Sequence, residues 1–299
     1  GETEHRRSKT RFERTSKKNF TAQLASIERR ETRLHELDER VADAMASTAE
    51  SLLHSAPRPY MDPDVLPAAA HLHHVIAVSQ KTIVHIGPWL QRNLGDPVIQ
   101  GFLRKLKNHI LEIFHPRRPA EGPRIWTEGD RDSVVIKDDR MYSHQTMTLN
   151  YTTYDVRREQ DTINPSTDRR DIMVLADNDD RHAHPFWYAR VLGIFHINAV
   201  DLSSHSEEIP KRVEFLLVRW LGEDPDWHGG WHSRRLDRVG FIPTSDDGAF
   251  GVLDPSDVLR ACHLIPAFAL GRTNNLLNSS RLAWREGEKD DWDQFYVNR

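Results

Sequence analysis

The residues best equipped for chemistry fall into a few small groups. Cys262 is the single cysteine and His263 follows it. A thiolate nucleophile needs a base converging on it at hydrogen-bond distance. Neighbours on a strand point to opposite faces, so a strand through 262–268 would hold these two apart. His71, His73, His74 and His85 lie in HLHHVIAVSQKTIVHI. His71 and His73 would share a strand face and could begin a metal site. A catalytic zinc needs three protein ligands, and His74 and His85 have no register with that pair. His228 and His232 are four apart, but the GGW between them signals a loop rather than a helix face. Asp177, Asp179 and Asp180 could attract a cation, yet ADNDDRHAHP reads as a hairpin loop.

No G-x-S-x-G, phosphate-cradling glycine loop or H-E-x-x-H is present. A metal-dependent nuclease needs carboxylates converging from separate elements, and no such set stands out. The expectation is therefore a protein that is not an enzyme, with no cofactor and no metal. Two groups point instead to binding. Trp187, Tyr188, Trp220 and Trp231 could form a ligand pocket, because π faces attract cations such as methyl-lysine. A place in the hydrophobic core is the plainer reading of Trp187 and Trp220. Arg6, Arg7 and Lys9 in a basic arm, and Arg104, Lys105 and Lys107 on a helix face, are candidate nucleic-acid contacts. Solvated surface is the plainer reading of both.

The whole chain sets bounds on these candidates. Its 299 residues suffice for one large domain or two ordinary ones. A formal net charge of −4 gives no global attraction to nucleic acid or anionic membrane, so any such contact must be local. Hydrophobic residues make up 38% and charged residues 29%, which leaves part of the chain solvated. One cysteine excludes an internal disulfide and fits a reducing compartment. No apolar run approaches the roughly 20 residues of a membrane span, and no signal sequence opens the chain. The expectation is a soluble intracellular protein.

The elements that must position the candidates come mainly from residues 171–268. Apolar runs at 172–175, 186–197, 213–221 and 239–242 are bounded by Asp, Asn, Gly and Pro and read as strands. They are nearly continuous, so both faces are covered, in a closed barrel or under a flanking layer. Upstream, residues 1–19 read as a disordered basic arm and 20–67 as a helical segment with a Pro-rich linker. Glu31 and Asp38 fall on the apolar stripe of that helix, against a coiled coil. Residues 68–150 read as an α+β lead-in. It holds a strand–turn–strand over 71–86 and a helix from Asp96-Pro97 to His115-Pro116, with Asp96 as cap. Residues 271–299 read as a polar tail over the core. The fold class is α+β, with a C-terminal β barrel at 151–270.

Two resemblances add to this. The words NYTTYDVRREQDTINPSTDRRDIMVL, HPFWYARVLGIFHI, VEFLLVRWLGED, RLDRVGFIP, AFGVLDPSDVLRACHLIPAFALGRT and DWDQFYVN resemble a block of fungal proteins encoded by or derived from Plavaka-type, CACTA-like transposons. So does HHVIAVSQKTIVHIGPWLQRNLGDPVIQGFLRKLKNHIL, which extends the coverage to about 71–298. The resemblance implies a region C-terminal to the transposase core. The family's catalytic carboxylate domain has no match here. ALGRT departs from the family's His before Gly, the family continues beyond Asn298-Arg299, and the first 70 residues match nothing in it. Those departures suit a fragment or a domesticated copy. Separately, Trp187-Tyr188-Ala189-Arg190-Val191, Val218-Arg219-Trp220 and the stretch 258–264 are similar to the bromo-adjacent homology (BAH) domain. That likeness implies an SH3-like barrel that binds histone or other chromatin protein in a nucleus. The two resulting expectations are a chromatin- or protein-binding module and, alternatively, a DNA-contacting accessory region of a transposase.

Overall fold

Short apolar runs separated by turn residues give an α+β molecule that is mostly β, with antiparallel sheets. The computed structural model describes residues 73–116, 124–152, 158–176, 184–203, 209–230, 233–277, 279–285 and 287–298. All lie within one compact unit, Leu66–Arg299. The basic arm with Arg6, Arg7 and Lys9, the helix expected over 20–55, His71, the Asp177–Asp180 cluster, Trp231 and His232 lie outside the described residues.

In chain order come β1 (His74–Ile76), β2 (Ile83–His85), α1 (Ile86–Arg92), α2 (Phe102–Phe114) and α3 (Glu128–Asp132). Then follow β3 (Val134–His144), β4 (Met147–Thr152), β5 (Arg158–Ile163), β6 (Asp171–Leu175), β7 (Phe186–Asp201) and β8 (Lys211–Glu223). The rest are β9 (Asp237–Phe241), β10 (Phe250–Leu253), β11 (Val258–Ala261), β12 (His263–Pro266), β13 (Arg272–Thr273), β14 (Asp291–Trp292) and β15 (Phe295–Asn298).

The β7–β8 hairpin is the spine. The first part of β7 pairs with β6 and its last part with β3. Likewise β8 pairs with β10 in its middle and with β9 at its end. The large sheet runs β11-β6-β7-β8-β9-β15-β12, and β1-β4-β5 form a separate small sheet. Alternation along β8 explains its continuous apolar run. Val213, Phe215 and Leu217 face one core, which is packed by Phe102, Leu106 and Ile110 of α2. Leu216 and Val218 face another, packed by Met147, Leu149 and Ile163 of the small sheet. A helix layer and a second sheet thus cover the two faces of the spine.

Among the described residues the strands are not joined by hydrogen bonds into the closed ladder of a barrel, the other expectation. Among the described residues the ladder begins at β11, which pairs with β6, and stops at β12, which pairs with β15. Continuous apolar runs report only that both faces are covered, and layers on an open sheet satisfy that as well. The two edge strands are nonetheless consecutive in sequence, parted by Cys262, whose N–H donates to the Asp171 carbonyl.

Other differences have local causes. The helix expected from Asp96 breaks at Gly101, which is left-handed (φ 65°), so a 3-10 turn at Pro97–Ile99 precedes α2. Asp96 does cap that turn through Val98 N–H, and also accepts from Ser280 and from the backbone of Arg281. The strands expected as a pair within 71–86 join different sheets, β1 on β4 and β2 on β3. The 271–299 segment does more than lie over the core, since β15 sits between β9 and β12.

The same segment supplies buried charge. Arg219 is 1% exposed and makes two hydrogen bonds with Asp291, Nη1 to Oδ1 at 3.0 Å and Nη2 to Oδ2 at 2.8 Å. Its guanidinium lies 3.9 Å from the Phe241 ring centre. Arg190 donates from Nε and Nη2 to Asp171, and Arg170 donates from Nη2 to Glu288 Oε1. Burial pulls Arg170 down to about 10.

Candidate functional site: an aromatic and acidic cleft

The start of β7, the end of β8 and the start of β9 meet in a cleft of about 400 Å³. It forms because Tyr188 pairs with Leu221 and Leu221 with Phe241, which brings the aromatic word FWY of β7 beside Trp220. Phe186, Trp187, Tyr188 and Trp220 all contribute to its wall. Trp187 is 42% exposed and meets Trp220 edge to face, with ring centres 6.1 Å apart at 80°. Trp220 is half-buried against the core shared with the small sheet.

The polar side of the cleft is acidic. Asp237 is buried and accepts from the Tyr188 hydroxyl at 3.2 Å, while His184 Nε2 lies 3.2 Å from the same Oδ2. His184 Nδ1 is held against the backbone of Phe186, 2.8 Å from its carbonyl oxygen. Glu223 stands exposed at the rim. Aromatic faces carry negative potential, and two carboxylates add to it. The arrangement suits an organic cation on an apolar stem.

Trp220 depends on a glycine across the sheet. A Cβ on Gly251 would sit 2.5 Å from Trp220 Nε1. Gly251→Ala is therefore expected to push the indole out of place and destabilise the fold by about 1–3 kcal/mol. Urea titration followed by tryptophan fluorescence checks this, and an unchanged midpoint would mean that the ring has room to move.

Of the aromatic candidates, Trp187, Tyr188 and Trp220 come together, and Trp231 is outside the described residues. Sequence reading missed His184, Asp237 and Glu223. The available signal was Asp237 at the mouth of an apolar strand, where an acid is costly to bury without partners.

The other candidates stand apart. Cys262 is buried, with its thiol pushed up by desolvation and Asp171, while His263 is exposed. His73 binds the Val258 carbonyl at 2.6 Å and His74 binds Glu214 at 2.9 Å. His85 and His228 are exposed. Among the described residues no group of three or more His, Cys, Asp or Glu is placed to hold a metal. On α2, Arg104 pairs with Asp247 at 2.7 Å, Lys105 binds the carbonyls of Asp247 and Phe250, and Lys107 binds the carbonyl of Arg131 at 2.8 Å. Among the described residues no helix is long and apolar enough to cross a membrane.

Comparison with protein families, with curated proteins and with solved structures finds no match to this chain.

Proposed function

We propose that this chain is a non-catalytic binding module whose cleft takes a cationic side chain, such as a methylated lysine, of a histone or other chromatin protein. The observation that carries the reading is the convergence of Trp187, Tyr188 and Trp220 on one cleft with Asp237 and Glu223. A cation over desolvated aromatic faces gains about 0.5–2 kcal/mol per interaction, and nearby carboxylates add to it.

The finer fold reading goes with this. A BAH-like, SH3-like barrel is supported by the placement of the two sheet edges on the consecutive strands β11 and β12. It is supported again by a core drawn from β6, β7, β8, β9, β12 and β15: Met173, Tyr188, Leu221, Val239, Leu264 and Val297 among others. A strongly coiled sheet wrapping that core approaches a barrel without a closed ladder. Descent from Plavaka-type transposon proteins and a nuclear location accompany the reading as its expected context. The alternative, a DNA-contacting region, is less favoured. The donors of Arg104, Lys105 and Lys107 already meet carbonyl and carboxylate groups of the same chain.

Titration with a histone-tail peptide carrying trimethyl-lysine tests the proposal. The wild type should bind, and Trp187→Ala should weaken binding about tenfold, the equivalent of roughly 1.4 kcal/mol. Trp187 is exposed enough for its removal to leave the fold intact. Equal binding by both proteins would remove the cleft from consideration.

A further inference from the structure

A second groove of about 850 Å³ is lined by Asp237 together with Arg234, Arg235 and Asn298. The loop that carries the two arginines is built onto β9. Gly229 lies so close that a Cβ there would meet the Asp237 Cα at 2.7 Å, and Gly230 takes a positive φ of 97°. Gly230 and Arg235 then exchange backbone hydrogen bonds across the loop. Trp227 anchors it from below by donating from Nε1 to the Leu236 carbonyl at 2.9 Å. The Trp227 ring also carries two guanidiniums, Arg238 at 4.4 Å and Arg235 at 5.1 Å from its centre. Arg238 is neutralised by Asp224 at 2.7 Å. Among the described residues Arg234 and Arg235 have no carboxylate partner, and both are exposed. Arg234 is moreover held at a positive φ of 53°, which a long side chain rarely adopts.

An acidic, aromatic cleft therefore adjoins a groove that carries Arg234 and Arg235, which have no carboxylate partner among the described residues, and Asp237 is common to both. Positions 235 and 237 are two apart in nearly extended chain, about 7 Å. A peptide in extended form covers that distance in two residues. We propose that the two grooves form one bipartite site, in which a carboxylate side chain two or three residues from the bound cation pairs with Arg234 and Arg235. The partner is thus a mixed-charge peptide segment rather than a purely basic one. This rests on the cation-cleft reading above and adds the recognition of the neighbouring acid.

The test uses two peptides, each with a central trimethyl-lysine. One has glutamate two residues to either side, and the other has alanine at both places. Binding of the full chain and of its Arg234→Glu/Arg235→Glu variant is followed by fluorescence anisotropy at low salt. The wild type should prefer the glutamate peptide about fivefold, as expected for a partly exposed ion pair, and the preference should shrink as salt rises. The variant should lose or invert the preference and bind the alanine peptide no more weakly than the wild type does, because the added carboxylates favour the cation. If the wild type binds both peptides equally, the bipartite site is wrong and the cation cleft stands. If it binds neither, the cleft reading itself fails. If the variant loses affinity for a bare DNA duplex and keeps the glutamate preference, the arginines serve phosphate and the proposal is overturned.

Discussion

Asp291→Ala will lower the stability of this protein by about 3–5 kcal/mol, the usual cost of leaving one member of a buried ion pair alone. Arg219 is almost fully enclosed, and both of its Nη groups donate to Asp291. Its Nε already lacks a hydrogen-bond partner among the described residues. Burial by itself pulls the Arg219 guanidinium down, and Asp291 is what offsets this. Trp284 Nε1 also reaches Asp291 Oδ1, at 3.4 Å, so the same carboxylate ties the C-terminal segment to the sheet. The expected companion result is that Arg219→Met with Asp291→Leu recovers most of the loss, because an apolar pair carries no desolvation penalty. Urea denaturation of the three proteins measures both effects. A loss below about 1 kcal/mol in Asp291→Ala would match an exposed pair rather than a buried one.

Acidification will cost the fold up to about 3 kcal/mol through a pair of histidines on the face toward the small sheet. His144 Nε2 lies 2.6 Å from His196 Nδ1, and the His196 ring stacks on Tyr142 with centres 4.7 Å apart. His196 is fully buried. Desolvation, then Arg212, then His144 hold His196 down at about 4, and desolvation and Arg212 lower His144 as well. Glu214 acts in the opposite direction on both, and it is itself bound by His74 and Arg212. The unfolded chain has histidines near 6.5 and takes up protons first as pH falls. The stabilisation is therefore whole above about pH 6.5 and is lost as pH falls toward 4. Unfolding free energies at pH 7, 5.5 and 4, for wild type and His196→Gln, isolate the effect. The wild type should show the steeper loss across that window. Parallel curves would mean that His196 is accessible to protons in the folded state.

Much of the sheet was legible in the sequence. The runs at 172–175, 186–197, 213–221 and 239–242 became β6, β7, β8 and β9, because β-branched and aromatic residues between turn formers specify strands locally. Closure was not legible. Whether β12 pairs with β6, beside which it lies, depends on the path of one chain segment around Cys262, and no local pattern encodes it. The small sheet was legible in β1 and β4 but not in β5, which is REQDTI, a polar word that pairs through its backbone and, among its described side chains, buries only Ile163 deeply. The aromatic half of the cleft was legible because Trp187, Tyr188 and Trp220 sit on adjacent strands. Its acidic half was not, because Asp237 reaches the cleft through the register of β9 on β8, 49 residues downstream of Tyr188. The ion pair of Arg104 and the carbonyl contacts of Lys105 link residues far apart in sequence, so the helix face looked free when read alone.

The most direct test of the central claim is to titrate the chain, and its Trp187→Ala variant, with nucleosomes and with the same DNA free of histones, each across a salt series. Recognition of a cationic side chain predicts binding that needs the histones, changes little with salt and falls about tenfold in the variant. Tight binding to the bare DNA that falls steeply with salt and is indifferent to Trp187 would contradict it and would make phosphate the ligand.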